Sequence, residues 1–371
     1  GLQRGQQGHA APGQDGQGAG KAGGIEGAQM AAQHRQAEQP GIPAAAHAGV
    51  AQGRTAGEKG AGQGQHHQPA PFPQQGADQD QAAREQGYVP DRAAQRLRTG
   101  RTKVIQLLLN LDHEFLGFTQ ELIGGMSEVL AGTGYSVTIF PDALQSDKLA
   151  AIRQIVENRL GDAVIFNRTE PNDSRVKYLI EQGFPFVCHG RTELDAKHPY
   201  VDFDNEAFAQ LAMRRLASKG RRHILFIMPP SRFSFSTHLR KGALQAARDL
   251  GISCEIPESI SIDATPAETV AWLMQRFASQ ERPDGIVCVG EVAAVSALAA
   301  ITDSGLQYGV EIDVFAKRAS EIFGLLRPHI DTVLEDLRST GRAMGETVLK
   351  AMAGEVGPEL QVLHRPLAEF S

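Results

Sequence analysis

From residue 103 onward the chain alternates between two hydrophobic patterns. Short continuous apolar runs at 103–109, 135–140, 162–166 and 184–188 read as strands buried on both faces, because a half-exposed strand would alternate apolar with polar residues. Between them, 115–131, 146–158 and 173–182 carry apolar residues at helical spacing. The pattern then restarts with helix 205–218, strand 222–228, helices 236–250 and 266–279, strand 285–289, helix 291–304 and strand 310–316. Such alternation predicts an α/β chain with two successive doubly wound parallel-sheet lobes. What remains, a run at 331–335, a helix over 337–353 and an extended tail, is too short for a third domain, so it is expected to return and complete the first two.

Upstream of 103 the pattern disappears. Residues 1 to about 83 are dominated by Gly, Gln, Ala, His, Arg and Pro, and the scattered large apolar residues (Leu2, Ile25, Met30, Ile42, Val50 and Phe72) make no face. Such a segment cannot bury enough surface to offset chain entropy, which predicts a disordered tail over 1–84. Gly60-Ala61-Gly62-Gln63-Gly64 has no strand before it and no Gly-Lys-Ser/Thr after it, so it is not a phosphate loop, and His66-His67 reads as part of a solvated polar segment. Ordinary protein resumes at 85–102. Pro90 stops whatever precedes it, Asp91 can cap the next turn, and Ala93, Ala94 and Leu97 share a face at helical spacing. The exposed positions of this short helix are Arg92, Arg96 and Arg98, with Arg101 and Lys103 just beyond.

The Tyr88-Val89-Pro90 turn, the Ala94-to-Leu97 helix and the basic Thr99-Gly100 linker resemble the hinge helix of LacI-type transcriptional repressors, and the resemblance extends to the C-terminus. Cys188-His189-Gly190-Arg191-Thr192 and His198 to Ala207 are similar to the stretch joining the lobes in sugar-responsive members, and Lys219 to Ile224 resembles the loop into the second lobe. The resemblance implies a two-lobed clamp like the type I periplasmic binding proteins, with crossing strands. One lobe is then 103–203 plus 337–357 and the other 204–336 plus 358–371. It also implies a homodimer, a sugar effector and operator DNA as partners, with Arg92, Ala94, Leu97 and Arg98 at the DNA. Leu97 would wedge into a minor-groove base step while arginines neutralise phosphates. The family carries a helix-turn-helix headpiece before the hinge, and no amphipathic helices of that kind are legible in 1–83. The expectation is therefore a wrong-frame or replaced N-terminus, with hinge-only DNA contacts.

In a doubly wound clamp the ligand belongs at the carboxyl ends of the strands. That rule, with the resemblance, selects Asp112, Phe115, Asn167, His189, Arg191, Asp204, Arg240, Glu291 and Lys317 as candidate ligand-binding residues. Asp, Asn and Arg supply paired donors and acceptors for hydroxyls, and Phe an apolar ring face. The chain departs from the family where Leu239 with Arg240 replaces an arginine, where Gly290-Glu291 replaces an Asn-Asp pair, and where Lys317 replaces an aspartate. Lys317 is expected to face Glu291 or Asp204 across the cleft. The Gly190-to-Glu193 and Ala316-Lys317 patterns resemble repressors of α-glucoside or related oligosaccharide uptake.

Composition narrows this further. The 371 residues are 41% hydrophobic and carry a formal net charge of −6, so any DNA contact must rest on a local patch. Cys188, Cys254 and Cys288 lie in or beside apolar runs without metal-like spacing and read as buried thiols in a reducing compartment. No apolar run approaches the ~18–20 residues of a membrane span, which predicts a cytoplasmic protein with no membrane partner. Ser234, Ser236 and His238, or His189 with Asp202 or Asp204, make triads on paper, but no nucleophile elbow, His-Glu-x-x-His or Walker loop accompanies them. No enzyme, cofactor or metal is expected. The alternative function is a sugar-binding protein of a transport system, against which the basic hinge argues.

Overall fold

The computed structural model describes residues 92–109, 117–141 and 147–369. The expectations for 1–91, including the disordered tail, and for Asp112 and Phe115 lie outside those residues. The chain opens with helix α1 (Arg92–Thr99) on the Ala/Leu pattern of the basic segment. Arg96 donates from Nη2 to the Arg159 carbonyl at 2.8 Å, while Leu97 is 89% exposed. The linker that follows is gripped by one carboxylate. Asp162 Oδ1 accepts from the Thr102 amide and hydroxyl, both at 2.8 Å, and Oδ2 accepts from the Lys103 amide at 3.0 Å.

The first sheet comprises β1 (Val104–Leu109), β2 (Ser136–Pro141), β3 (Ala163–Phe166), β4 (Phe186–His189), β5 (Tyr200–Phe203) and β11 (Gln361–His364), all parallel, in the order β11-β5-β4-β3-β1-β2. Helices α2 (Phe118–Leu130), α3 (Ala150–Glu157) and α4 (Ser174–Glu181) alternate with its strands. The apolar runs are continuous because both faces are covered. Ile105, Leu107 and Leu109 enter one core and Leu108 the other.

The second lobe repeats the plan with α5 (Asn205–Ser218), β6 (His223–Ile227), α6 (Ser234–Leu250), β7 (Ser253–Glu255), α7 (Pro266–Phe277), β8 (Gly285–Cys288), α8 (Glu291–Asp303), β9 (Asp313–Arg318), α9 (Ile322–Leu325) and β10 (Asp331–Leu334). Its sheet order is β12-β10-β9-β8-β6-β7, with β12 (Leu367–Glu369) antiparallel to β10. β6 divides its side chains as β1 does: Ile224 and Phe226 enter one core, Leu225 and Ile227 the other.

The chain crosses between sheets after β5, after β10 and after β11. The last crossing corrects the expected boundary. Residues 361–364 pair in parallel with β5 in the first sheet, so only 367–369 of the C-terminal segment joins the second. The strand expected at 310–316 lies at 313–318, because Asp313 is drawn inside by Arg221 (Nε to Oδ2, 2.6 Å) and Lys219. Cys188 and Cys288 are buried and Cys254 is partly so. Among the described residues no helix is long and apolar enough to cross a membrane.

Helix α10 (Leu337–Met352) returns after β10 to pack on α2 across glycines. A methyl group on Gly341 would meet the Leu122 carbonyl, and one on Gly125 the Arg338 carbonyl, so the two backbones touch where a side chain cannot fit. Gly124, by contrast, faces only the flexible tip of Arg338, 3.2 Å from where a Cβ would stand. Gly341→Ala is therefore expected to destabilise the fold by about 1–3 kcal/mol in urea titrations. Gly124→Ala should be neutral or stabilise it by up to ~1 kcal/mol through helix propensity. Equal effects would mean that the α2–α10 contact is not backbone-limited.

Candidate functional site

The carboxyl ends of β3, β4, β5, β9 and β10 meet between the lobes around a cavity of about 60 Å³. Asn167, Arg168, His189, Gly190 and Asp202 line it from the first lobe, with Phe118 of α2; Asn205, Phe235, Lys317 and Glu335 line it from the second. Gly190 is required there: its φ is +110°, and a Cβ would stand 2.7 Å from Thr169 Oγ1.

Lys317 is the buried charge at the centre. Only 3% of its side chain is exposed, and Nζ lies 2.8 Å from Glu335 Oε2 and 3.0 Å from Asn205 Oδ1. The ammonium also stands over the rings of Phe203 and Phe208, 4.9 and 5.6 Å from their centroids. Glu335 in turn approaches His189 of the first lobe, Oε1 to Nε2 at 3.8 Å. The His189 ring lies tilted against that of Phe118, at 32° with centroids 5.9 Å apart. Burial holds the His189 imidazole below the usual histidine range despite the pull of Glu335 and Asp202, so at neutral pH it presents one donor and one acceptor.

Asp202 is the incompletely satisfied group. It is 4% exposed, its Oδ1 accepts from the Phe203 amide at 2.8 Å, and its Oδ2 accepts no hydrogen bond among the described residues. Arg191 Nε stands 3.5 Å from that oxygen. Burial pushes the Asp202 carboxyl above the usual carboxylate range, and Arg191, His238 and His189 only partly counter it. A buried carboxylate oxygen left open in a cleft is a costly arrangement that a hydroxyl donor would relieve.

The lobes are clasped beside this cavity. Arg168, whose backbone is left-handed at φ +54°, reaches from Nη2 to Asp263 Oδ1 of the second lobe at 2.7 Å, and its guanidinium lies 5.0 Å from the Phe233 ring centroid. The Ser234 amide donates to the Thr169 carbonyl at 2.8 Å. His238 Nε2 lies 2.9 Å from Glu193 Oε1.

Of the sequence-selected residues, Asn167, His189 and Lys317 line the cavity, and Arg191 stands beside Asp202. Three others do different work. The Asp204 carboxylate caps α5, accepting from the Ala207 amide at 3.0 Å. Glu291 is fully buried and staples the loop after β9, its Oε1 accepting from the amides of Ala319 (2.9 Å) and Ser320 (2.7 Å) and the Ser320 hydroxyl (2.8 Å). Arg240 is outside the cavity lining. Lys317 thus pairs with Glu335 and Asn205 rather than with Glu291 or Asp204. Sequence reasoning missed Glu335 and Asn205 as site residues. The available signal was that both lie within two residues of a strand end, β10 and β5, at crossings between lobes. The Ser236–His238 pairing does not assemble, since Ser236 Oγ donates to the Pro229 carbonyl and His238 Nε2 pairs with Glu193, whereas His189 and Asp202 line the same cavity and Asp204 caps α5. Among the described residues no group of His, Cys, Asp and Glu could hold a metal ion.

Residues 213–369 match the family model of the periplasmic binding protein-like domain. Over 283 residues the chain is 30% identical to the HTH-type transcriptional regulator AglR of Rhizobium meliloti, covering 74% of this chain and 78% of that protein. A regulatory protein of the LacI family from Chloroflexus aggregans shares the fold, with TM-score 0.62 and 20% identity over 72% of this chain and 96% of its own. So does the complex of the transcriptional regulator CelR with cellobiose, with TM-score 0.63 and 19% identity over 78% of this chain and 88% of its own.

Two outcomes are expected from the buried charges. Lys317→Met strands the Glu335 carboxylate and should cost about 3–5 kcal/mol of stability in chemical denaturation, whereas Lys317→Met with Glu335→Leu should restore much of that loss. For Asp202, a folded-state pKa above the unfolded value means that its stabilising contribution is present in acid and is lost as pH rises through the folded pKa. Asp202→Asn should therefore melt at a higher temperature than the parent at pH 7, with the difference shrinking toward pH 4. A lower melting temperature at pH 7 would show that the Arg191 pair outweighs desolvation.

Proposed function

The chain belongs to the LacI family of HTH-type transcriptional regulators, which are not enzymes, and we propose that it controls DNA binding by holding a sugar or closely related molecule in the interlobe cavity. The observation that carries this reading is the convergence of Asp202, with its open Oδ2, on a cavity that also presents the neutral His189, Asn167 and the ring of Phe118. Acceptors, amide groups and an apolar ring face are what a polyhydroxylated ring needs. The bound cellobiose of the similarly folded CelR complex supports the same class of ligand.

A cavity of about 60 Å³ is well below the ~300–1,000 Å³ of typical ligand pockets, so the lobes must part to admit a sugar. Effector binding then selects between lobe arrangements, and the sugar shifts DNA affinity only by its preference for one of them. The output runs through the linker. Asp162 fixes Thr102 and Lys103 to the first lobe, and α1 presents the exposed Leu97 with Arg96 and Arg98. In this reading paired α1 helices of a homodimer enter the minor groove in the cytoplasm, Arg92, Ala94, Leu97 and Arg98 meet the DNA, and Leu97 forms the wedge.

Calorimetric titration of the full chain with mono- and disaccharides tests the effector half. At least one sugar should bind, and Asp202→Asn should weaken it about tenfold or more, as loss of a hydrogen bond to a charged group implies. If no sugar in the panel binds, the reading fails. A salt series on duplex DNA tests the other half: affinity should fall steeply with ionic strength and should drop again in Leu97→Ala.

A further inference from the structure

We infer that the groove between the linker and the first lobe seats the phosphate backbone of DNA, and that Arg159 supplies a phosphate contact from the lobe itself, outside the hinge helix. This rests on the DNA half of the reading above and deepens it. The groove, of about 350 Å³, lies at the amino ends of β1 and β3, the opposite end of the sheet from the effector cavity. Gly100, Arg101 and Thr102 line it from the linker, and Arg159, Gly161 and Asp162 from the lobe. The rest of its lining is Tyr135 and apolar side chains, which suit the deoxyribose between phosphates.

The backbone at Arg159 draws attention to its side chain. Turns that lead from a helix into the next strand place glycine in the left-handed region: Gly132 and Gly134 after α2, Gly183 after α4, Gly220 after α5, Gly251 after α6 and Gly305 after α8. The turn after α3 places Arg159 there instead, at φ +50°, where any Cβ is strained and glycine is not. The fold uses the main chain of this residue. Its amide donates to the Val156 carbonyl at 3.2 Å, and its carbonyl accepts from Arg96 Nη2 at 2.8 Å. Neither bond needs an arginine at 159, so the strain points to a use for the guanidinium beyond the fold.

Charge decides what that use is. Arg98, Arg101 and Arg159 are exposed and form no ion pair among the described residues. Between Ala150 and Ala163 the acidic residues are Glu157, which is exposed, and Asp162, whose oxygens are occupied by the Thr102 amide and hydroxyl and the Lys103 amide. The Arg96 bond holds α1 against Arg159, so a duplex engaged by α1 passes beside the groove. Arg96, Arg98, Arg101 and Arg159 thus gather at one end of a chain whose net charge is −6. A polyanion that runs past all four relieves their mutual repulsion, and phosphates flank the minor groove in which α1 would lie.

The test is a salt series on the full chain with a fluorescent A·T-rich duplex, between about 50 and 200 mM salt. Arg159→Asn, in which asparagine tolerates the left-handed backbone, should bind severalfold more weakly at low salt once circular dichroism has shown it folded. Its slope of log affinity against log salt should be shallower than the parent's by about one. Arg159→Lys keeps the charge and should keep the parent slope. An Asn variant with the parent slope, whatever its affinity, overturns the inference and leaves the groove to another occupant, with the hinge reading intact. A Lys variant as shallow as the Asn variant overturns it as well, because charge is then not what acts. If the parent chain binds no duplex at low salt, the DNA half of the reading fails and takes the inference with it.

Discussion

Lys317 is the constraint around which the two lobes are arranged. Its ammonium is out of water, so its position must be fixed by groups that compensate the charge, and those groups lie at the crossings. Asn205 starts α5 directly after the chain leaves the first sheet, and Glu335 lies between β10 and α10, where the chain goes back. One cation thereby holds two of the connecting segments to the end of β9. His189 brings the first sheet to the same cluster through Glu335. Movement of one lobe against the other must pivot about this group or break it.

The broad architecture was legible because it depends on burial. Continuous apolar runs such as Val104 to Leu109 can only be strands covered on both faces, and helical spacing located nearly every long helix. The short strands were harder to read. β5 mixes Tyr200 and Asp202 with Val201 and Phe203, and β7 spans three residues, so neither carries enough pattern to stand out from a loop. The placement of β11 was illegible for a different reason: Gln361 to His364 pairs with a strand some 160 residues earlier, and nothing local says which sheet will accept it.

The site was half legible. The rule that ligands sit at the carboxyl ends of strands found Asn167, His189 and Lys317. It failed at Asp204 and Glu291 because a carboxylate next to a helix start is equally suited to capping or stapling, and only the three-dimensional partners decide between these uses. It also failed to rank Asp202 above its neighbours. That residue stands out because one of its two buried oxygens accepts no hydrogen bond, a property that no one-dimensional pattern displays. The open oxygen costs stability and leaves an acceptor ready for a ligand, the exchange common at binding sites.

The threefold crossing has a consequence for biosynthesis. The strands β6 to β10 of the second lobe are contiguous in sequence, needing from farther along only the short antiparallel edge β12. The first lobe begins emerging earlier yet still lacks α10 and β11, which lie beyond residue 336. On a ribosome adding ~5–20 residues per second, the half made first must therefore wait, partly uncovered, for the half made second. During that interval the α2 surface that will receive Gly341, and the β5 edge that will receive β11, are the places where a nascent chain invites chaperones or a wrong partner.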